Sequence, residues 1–463
     1  MFIGRDKELK GLDQLYKSDK FEFAVIYGRR RVGKTALINH FINEKKAIYF
    51  MGVESNEKQN LENFSKSIIE FSSGIQTETT FASYQVALEY IFKLADKERV
   101  ILAIDEYPYV ARASRSLAST LQMLIDKYKD NSKLMIILCG SSMSYMEDQV
   151  LSYKSPLYGR RTAQMKIEAF DFYESCKYLK GMPDEDKAYV YGIVGGTPQY
   201  LIQINDKLSI EDNIKNIYLN PMSFLYEEPL NLLKQEVREP AIYNAIITAV
   251  ATGHSRMSEI STKVGESTTV CSGYLKNLIS LGIIKKETPY GEKDSKRSIY
   301  SIEDNMFYFW YRFVLDNTSV IARGAVDLVY KRIETQLNDY MGRVFEDICR
   351  QYLWKLLLKG EMPIEFVSLG RWWGNDARKK TQTEIDIMGE QDSSSAFFAE
   401  CKWRNEKVDL DVLNTLVDRS GLFHYTNVYY FLFSKTGFTK GCMKKAETMG
   451  NVTLVTYKDI VDL

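Results

Sequence analysis

Residues 21–41, FEFAVIYGRRRVGKTALINHF, decide the reading of this chain. FEFAVIY is a near-continuous apolar run, the composition of a strand buried on both faces. It stops at a glycine. Gly28-Arg29-Arg30-Arg31-Val32-Gly33-Lys34-Thr35 then satisfies G-x-x-x-x-G-K-[ST] between a strand and the opening of a helix. Glycines let backbone N–H groups curl around phosphate oxygens, and the helix N-terminus adds partial positive charge. Lys34 is expected to reach the β and γ phosphates, and the Thr35 hydroxyl to ligate magnesium. ATP and Mg2+ are therefore the expected cofactors, with every residue from Gly28 to Thr35 in contact with the nucleotide.

Downstream, Val100–Glu106 reads VILAIDE. Its apolar residues bury a strand that delivers Asp105 to the C-terminal end. There Asp105 can hold the magnesium shell while Glu106 polarises the attacking water. The next strand ends in LCGSS, which places Ser141 or Ser142 between these carboxylates and the γ phosphate. Arg160 and Arg161, in SPLYGRRT, are candidates for an arginine contact to that phosphate, an effect worth about 10³ to 10⁵ in rate in other NTPases.

Around this motif the chain alternates strands and helices. FEFAVIYG, KAIYFMGV, RVILAIDEY and LMIILCGSS read as buried strands of a parallel sheet covered on both faces. At 463 residues the chain exceeds a single hydrophobic core, so several domains are expected. From about 171 to 235 the pattern is helical and polar, broken at GGTPQYL (195–201), and suggests a small helical lid. From about 236 to 302, three helical stretches lead into a strand, a charged turn and another strand. That is the order of a winged helix-turn-helix. Val270, Tyr274, Leu275, Leu278 and Ile279 give the last of these helices one apolar face. Residues 285–297 set Lys285, Lys286, Lys293, Lys296 and Arg297 against Glu287, Glu292 and Asp294, an excess that supports weak phosphate contact at most. The aromatic stretch 306–313 reads as core.

Composition narrows the function. Sixty-one basic and 61 acidic residues cancel, which excludes a wholesale cationic coat and leaves any DNA partner to local patches. Six cysteines without a C-x-x-C pair, and three dispersed histidines (His40, His254, His424), leave no zinc site. Scattered thiols and the lack of an apolar run of about 18–20 residues point to a soluble cytoplasmic protein without a membrane partner. Arginine contacts in trans would imply a homo-oligomer.

FIGRDKEL (2–9), GRRRVGKT, IDEYPYV, SPLYGRRT and GGTPQYL together resemble the archaeal-type ATPases of the STAND branch of AAA+ proteins, a DEXX-box ATPase family also found in bacteria. The resemblance covers roughly the first 235 residues. It implies that Gly4 and Arg5 lie near the adenine and that Gly196 and Pro198 form the turn of the lid.

The C-terminal part carries a second pattern. Glu346 lies on a helix, Asp386 on the strand TEIDIM, and Glu400 and Lys402 on AECKW. Alternation puts Glu400 and Lys402 on one face of their strand. Asp386 on a paired strand would complete a divalent-metal site with Glu400, where Lys402 orients or deprotonates the attacking water. This arrangement resembles the PD-(D/E)xK nuclease fold. RWWG (371–374), followed by EID and ECKW, is like the domain often joined to these ATPases.

The expected fold class is α/β: a P-loop NTPase parallel sheet with a helical lid, a winged helix-turn-helix and a restriction-endonuclease-like domain. The expected domains are 1–170 (ATPase core), 171–235 (lid), 236–305 (winged helix), 306–334 (helical linker) and 335–463 (nuclease-like). Such a chain hydrolyses ATP and couples this to magnesium-dependent binding or cleavage of nucleic acid. The rival reading is an ATP-controlled switch or scaffold whose nuclease-like domain is inactive.

Overall fold

The computed structural model describes residues 2–75, 78–293 and 296–463. Its apolar runs form β1 (Glu22–Tyr27), β2 (Ala47–Met51), β3 (Val100–Asp105) and β4 (Leu134–Gly140), joined by the short β5 (Ala163–Lys166). The five strands make one parallel sheet in the order β2-β3-β4-β1-β5. Side chains alternate across it. Phe23, Val25, Leu102, Ile104, Ile136 and Leu138 enter one core, while Ala24, Ile26, Ile101, Ala103, Met135 and Ile137 enter the other. Each large apolar side chain fully buried this way contributes about 1.5–3 kcal/mol. Two covered faces are why β1, β3 and β4 read as continuous apolar runs rather than alternating ones.

Contacts divide the chain into two compact units. The first runs to Phe170 and takes in Thr197–Gln199; the second comprises Asp171–Gly196 and Tyr200–Leu463. In the second unit, helices Asp184–Val194, Ile210–Tyr218 and Phe224–Glu236 precede three further helices, Pro240–Ala251, Met257–Val264 and Thr268–Ser280. An antiparallel ribbon of β6 (Ile284–Glu287) and β7 (Ile299–Ile302) follows. In this stretch Lys285 is paired with Glu287 at 3.5 Å, and Arg297 with Glu292, so part of the predicted basic excess is already offset. Asp294 lies outside the described residues. Met306, Phe307, Phe309, Trp310, Tyr311 and Phe313 are buried on the helix Asn305–Phe313, as core.

The long helix Val326–Lys359 leads to a second five-stranded sheet. Its strands are β8 (Leu369–Asp376), β9 (Thr381–Asp392), β10 (Ser395–Lys402), β11 (Asn427–Ser434) and β12 (Val452–Thr456), in the order β12-β11-β10-β9-β8. β10, β11 and β12 run parallel; β9 is antiparallel to β8 and β10. EFVSLG (365–370), an apolar stretch that reads as a strand, is mostly not in the sheet: Val367 is 92% exposed, and the strand is instead LGRWWGND. Its residues face half-buried positions, so it lacks the apolar signature that identified the others.

Candidate active site of the first unit

The loop from Gly28 to Gly33 joins β1 to the helix Lys34–Ile42. A Cβ at Gly28 would stand 2.2 Å from the carbonyl oxygen of Ile167, so only glycine fits between β1 and the chain leaving β5. Gly33 caps the helix at φ +90°, in the left-handed region that side chains rarely adopt. Arg31 adopts φ +74°, a conformation of the kind that concentrates at binding loops.

Within this loop the Lys34 ammonium donates to the carbonyls of Gly28 and Arg29, each at 2.8 Å. It is buried, on the inside of the backbone curl. Thr35 donates its hydroxyl to Asp105 Oδ2 at 2.7 Å. Asp105, at the end of β3 and 1% exposed, also accepts from the Tyr49 hydroxyl at 3.1 Å and from the Glu106 amide at 2.9 Å. Burial, and then the Asp105 charge, push the Tyr49 phenol well above its ordinary range, which keeps it a donor. Glu106 takes φ +48° where β3 turns into the helix Tyr107–Ala113, and accepts from the Ser141 hydroxyl at 2.7 Å. Ser141 rather than Ser142 is therefore the serine beside the carboxylates; Ser142 instead accepts from Arg112 at 3.4 Å. Because β4 lies between β1 and β3, its last residues stand between the phosphate loop and Asp105, where ligand sites of open α/β sheets form.

The remaining candidates surround this centre. Arg5 follows Gly4 in left-handed geometry, donates to the carbonyls of Val32 (2.8 Å) and Glu168 (2.6 Å), and lies 4.3 Å over the Phe170 ring. It braces the phosphate loop from outside. Arg29 donates to Thr197 Oγ1 at 3.2 Å and Arg30 to Tyr109 at 3.0 Å. Pro198 packs near Gly33, while Gly196 belongs to the second unit. Arg160 and Arg161 are engaged elsewhere. Arg160 makes a two-pronged pair with Asp126, at 3.0 and 2.6 Å; Arg161 donates to Leu151 O at 3.0 Å.

In the second unit the expected carboxylates do meet. Ala399 pairs with Ile387, which brings Asp386 beside Glu400. Asp386 Oδ2 accepts from the Cys401 amide at 2.9 Å. Burial and then the charge of Asp386 push Glu346 up to about 7 and raise Glu400 as well. Cations answer this crowding. Lys402 donates to Glu400 Oε1 at 2.6 Å, Arg419 to its Oε2 at 3.4 Å, and Arg350 to Glu346 Oε2 at 3.2 Å. Among the described residues no three of His, Cys, Asp or Glu converge as a metal cage. Both Glu400 oxygens are taken by cations, so the arrangement does not fit a metal ion without displacing them. Tyr49, Arg350 and Arg419 are partners that sequence reasoning missed.

Comparison with known proteins fits this geometry. Residues 2–204 match an ATPase domain predominantly from Archaea, and residues 310–412 match a domain of archaeal and bacterial proteins of unknown function. A protein of Methanocaldococcus jannaschii is 35% identical over 414 residues, 89% of each chain. A second protein of that organism, named as ATP-binding, is 46% identical over 46 residues, 10% of this chain and 78% of its own. The Walker-type ATPase of Pyrococcus abyssi superposes with a TM-score of 0.53 at 21% identity, covering 67% of this chain and 96% of that one; it supports the P-loop fold. Among the described residues no helix is long and apolar enough to cross a membrane. The chain belongs to one family with the M. jannaschii protein of matching length, and its N-terminal part is an ATPase domain of the archaeal type.

Proposed function

We propose that the first unit binds ATP with magnesium and hydrolyses it, and that nucleotide state governs binding of nucleic acid by the second unit. The observation that carries this reading is the convergence of Lys34, Thr35, Asp105 and Glu106 at the ends of β1 and β3. Thr35 and Asp105 supply the hard oxygens that a magnesium ion takes, and that ion would neutralise charge between the β and γ phosphates. Lys34 exchanges its two carbonyl acceptors for phosphate oxygens. Glu106, oriented by Ser141, is the base toward the attacking water, and the helix N-terminus faces the phosphates. In this reading Arg5 positions the loop without touching the reacting atoms.

The three helices with the β6–β7 ribbon are read as a winged helix, and the second sheet as a restriction-endonuclease-like domain. The cations seated on Glu400 favour binding over cutting, which makes the chain an ATP-controlled switch. Two assays test these readings. ATP turnover in Lys34→Ala should fall by about a hundredfold or more, as loss of a main phosphate contact requires; undiminished turnover would refute the site. Incubation of single- and double-stranded DNA with magnesium or manganese should leave it intact. Cleavage that is lost in Asp386→Ala would replace the switch with a nuclease.

A further inference from the structure

The second unit contains a cleft of about 810 Å³ whose wall includes Glu346. Six cations line it, Arg256, Lys285, Arg312, Arg343, Arg350 and Arg371, against three carboxylates, Glu287, Glu346 and Glu384. Those carboxylates are each taken by one cation of the wall: Glu287 by Lys285 at 3.5 Å, Glu346 by Arg350 at 3.2 Å, and Glu384 by Arg371. Arg312 has its partner in Asp339, at 3.2 Å, which is not part of the wall. Arg256 and Arg343 remain in excess, Arg343 lying 4.6 Å over the Tyr308 ring. The Nε atoms of Arg312 and Arg371 are buried without a hydrogen-bond acceptor. Buried donors without acceptors are costly, and a cleft with surplus positive charge concentrates anions.

Trp373 supplies a second kind of surface. It lines the same cleft, and no ring contact among the described residues occupies its face, in contrast to its neighbour Trp372, which packs on Phe423. Guanidiniums for phosphates beside an aromatic side chain for bases are the two parts of a single-strand binding groove. A volume in the range that takes a drug-sized ligand admits a few nucleotides and cannot enclose a duplex.

We propose that this cleft binds a short single-stranded segment of nucleic acid, with Arg256 and Arg343 on its phosphates and Trp373 stacked on a base. The proposal rests on the reading of the second unit as a nucleic-acid binder and names the surface and the strand form it takes. Glu346 then lies at the wall where the strand passes the carboxylate cluster, and the strand displaces no cation from Glu400.

The test is fluorescence anisotropy of a labelled short oligothymidylate with the full chain, without nucleotide and again with ATP or ADP and magnesium, across about 50 to 200 mM salt. Arg256→Glu and Arg343→Glu should each weaken binding by about tenfold or more and flatten its salt dependence. Trp373→Ala should weaken it roughly 5- to 150-fold with the salt dependence kept. Arg256 is exposed, so its reversal leaves the fold intact, and unchanged ATP binding verifies each variant. A duplex of the same length and a free mononucleotide should compete poorly. Wild-type affinity in all three variants, with the strand still bound, overturns the cleft while sparing the broader reading. Preference for duplex, or displacement of the strand by mononucleotide, overturns the strand assignment. Failure of the wild type to bind any oligonucleotide overturns both.

Discussion

The two carboxylate clusters of this chain are satisfied by opposite kinds of partner. In the first unit Asp105 and Glu106 accept from hydroxyls, those of Thr35, Tyr49 and Ser141, and from a backbone amide. In the second unit Glu346 and Glu400 face guanidinium and ammonium groups, Arg350, Arg419 and Lys402. Neutral donors satisfy the oxygens and leave the negative charge in place, so the compensating cation can arrive with the ligand as magnesium. Built-in cations offset part of the charge and give the cluster less to gain from a metal. A carboxylate pair therefore marks a metal-nucleotide site by what it lacks, a charged partner, as much as by what it contains.

The sharpest way to break this contrast is to remove a partner from each side. Lys402→Met leaves Glu400, a buried carboxylate, with only the longer Arg419 contact. Breaking a buried pair costs about 3–5 kcal/mol, and because Lys402 is 31% exposed solvent screening reduces the expected loss to about 2 kcal/mol. Denaturant midpoints of the full chain read this, and adding Glu400→Gln to Lys402→Met should recover most of it. If the single change is neutral, the cations are not what holds the cluster.

A smaller effect, distinguished by its pH dependence, comes from Glu346. Its value of about 7 stands above the ordinary 4.5, so the folded state holds a proton that the unfolded state releases between those values. The stability it contributes is complete below about pH 4.5 and lost as pH rises through about 7. Glu346→Gln should thus be more stable than wild type at pH 8 by about 1–2 kcal/mol, net of the lost Arg350 contact, with the difference closing toward pH 5. Melting curves across that range decide it; a gap independent of pH would show that Glu346 is charged throughout.

The hydroxyl side should respond less in stability and more in function. Thr35→Val removes one hydrogen bond from a neutral donor to a carboxylate, worth about 1.5 kcal/mol, while abolishing the magnesium dependence of nucleotide binding. Tyr49→Phe should cost about 0.5–1 kcal/mol and leave nucleotide binding in place, as titration calorimetry would show. A loss of several kcal/mol from either change would place these hydroxyls with the charged partners rather than the neutral ones.

What could be read from the sequence follows the same division. The phosphate loop and VILAIDE are local signals: strand composition fixes where Asp105 emerges, and the loop spacing fixes Lys34 and Thr35. Tyr49 was hidden because its hydroxyl meets Asp105 only once β2 lies beside β3 in the register Tyr49↔Ala103, which no local pattern encodes. β5, with the short sequence AQMK at a sheet edge, has no apolar run to betray it. The order helix Glu346, strand Asp386, strand Glu400 and Lys402 was legible from alternation and element sequence. Arg419 was not, since it reaches Glu400 from the helix Leu410–Ser420 across a tertiary contact. Thr197–Gln199 joins the first unit for a similar reason: Thr197 bonds Arg29 and Pro198 lies near Gly33, contacts between segments far apart in the chain.

The central claim is that Glu106 activates water for hydrolysis of a nucleotide held by Lys34 and Thr35, and one measurement tests it directly: single-turnover hydrolysis of radiolabelled ATP by Glu106→Gln beside wild type, with bound nucleotide identified after rapid desalting. The account predicts binding as tight as wild type, hydrolysis slowed by about 10²- to 10⁴-fold, and ATP rather than ADP retained on the protein. Hydrolysis at the wild-type rate, with ADP retained, would contradict it.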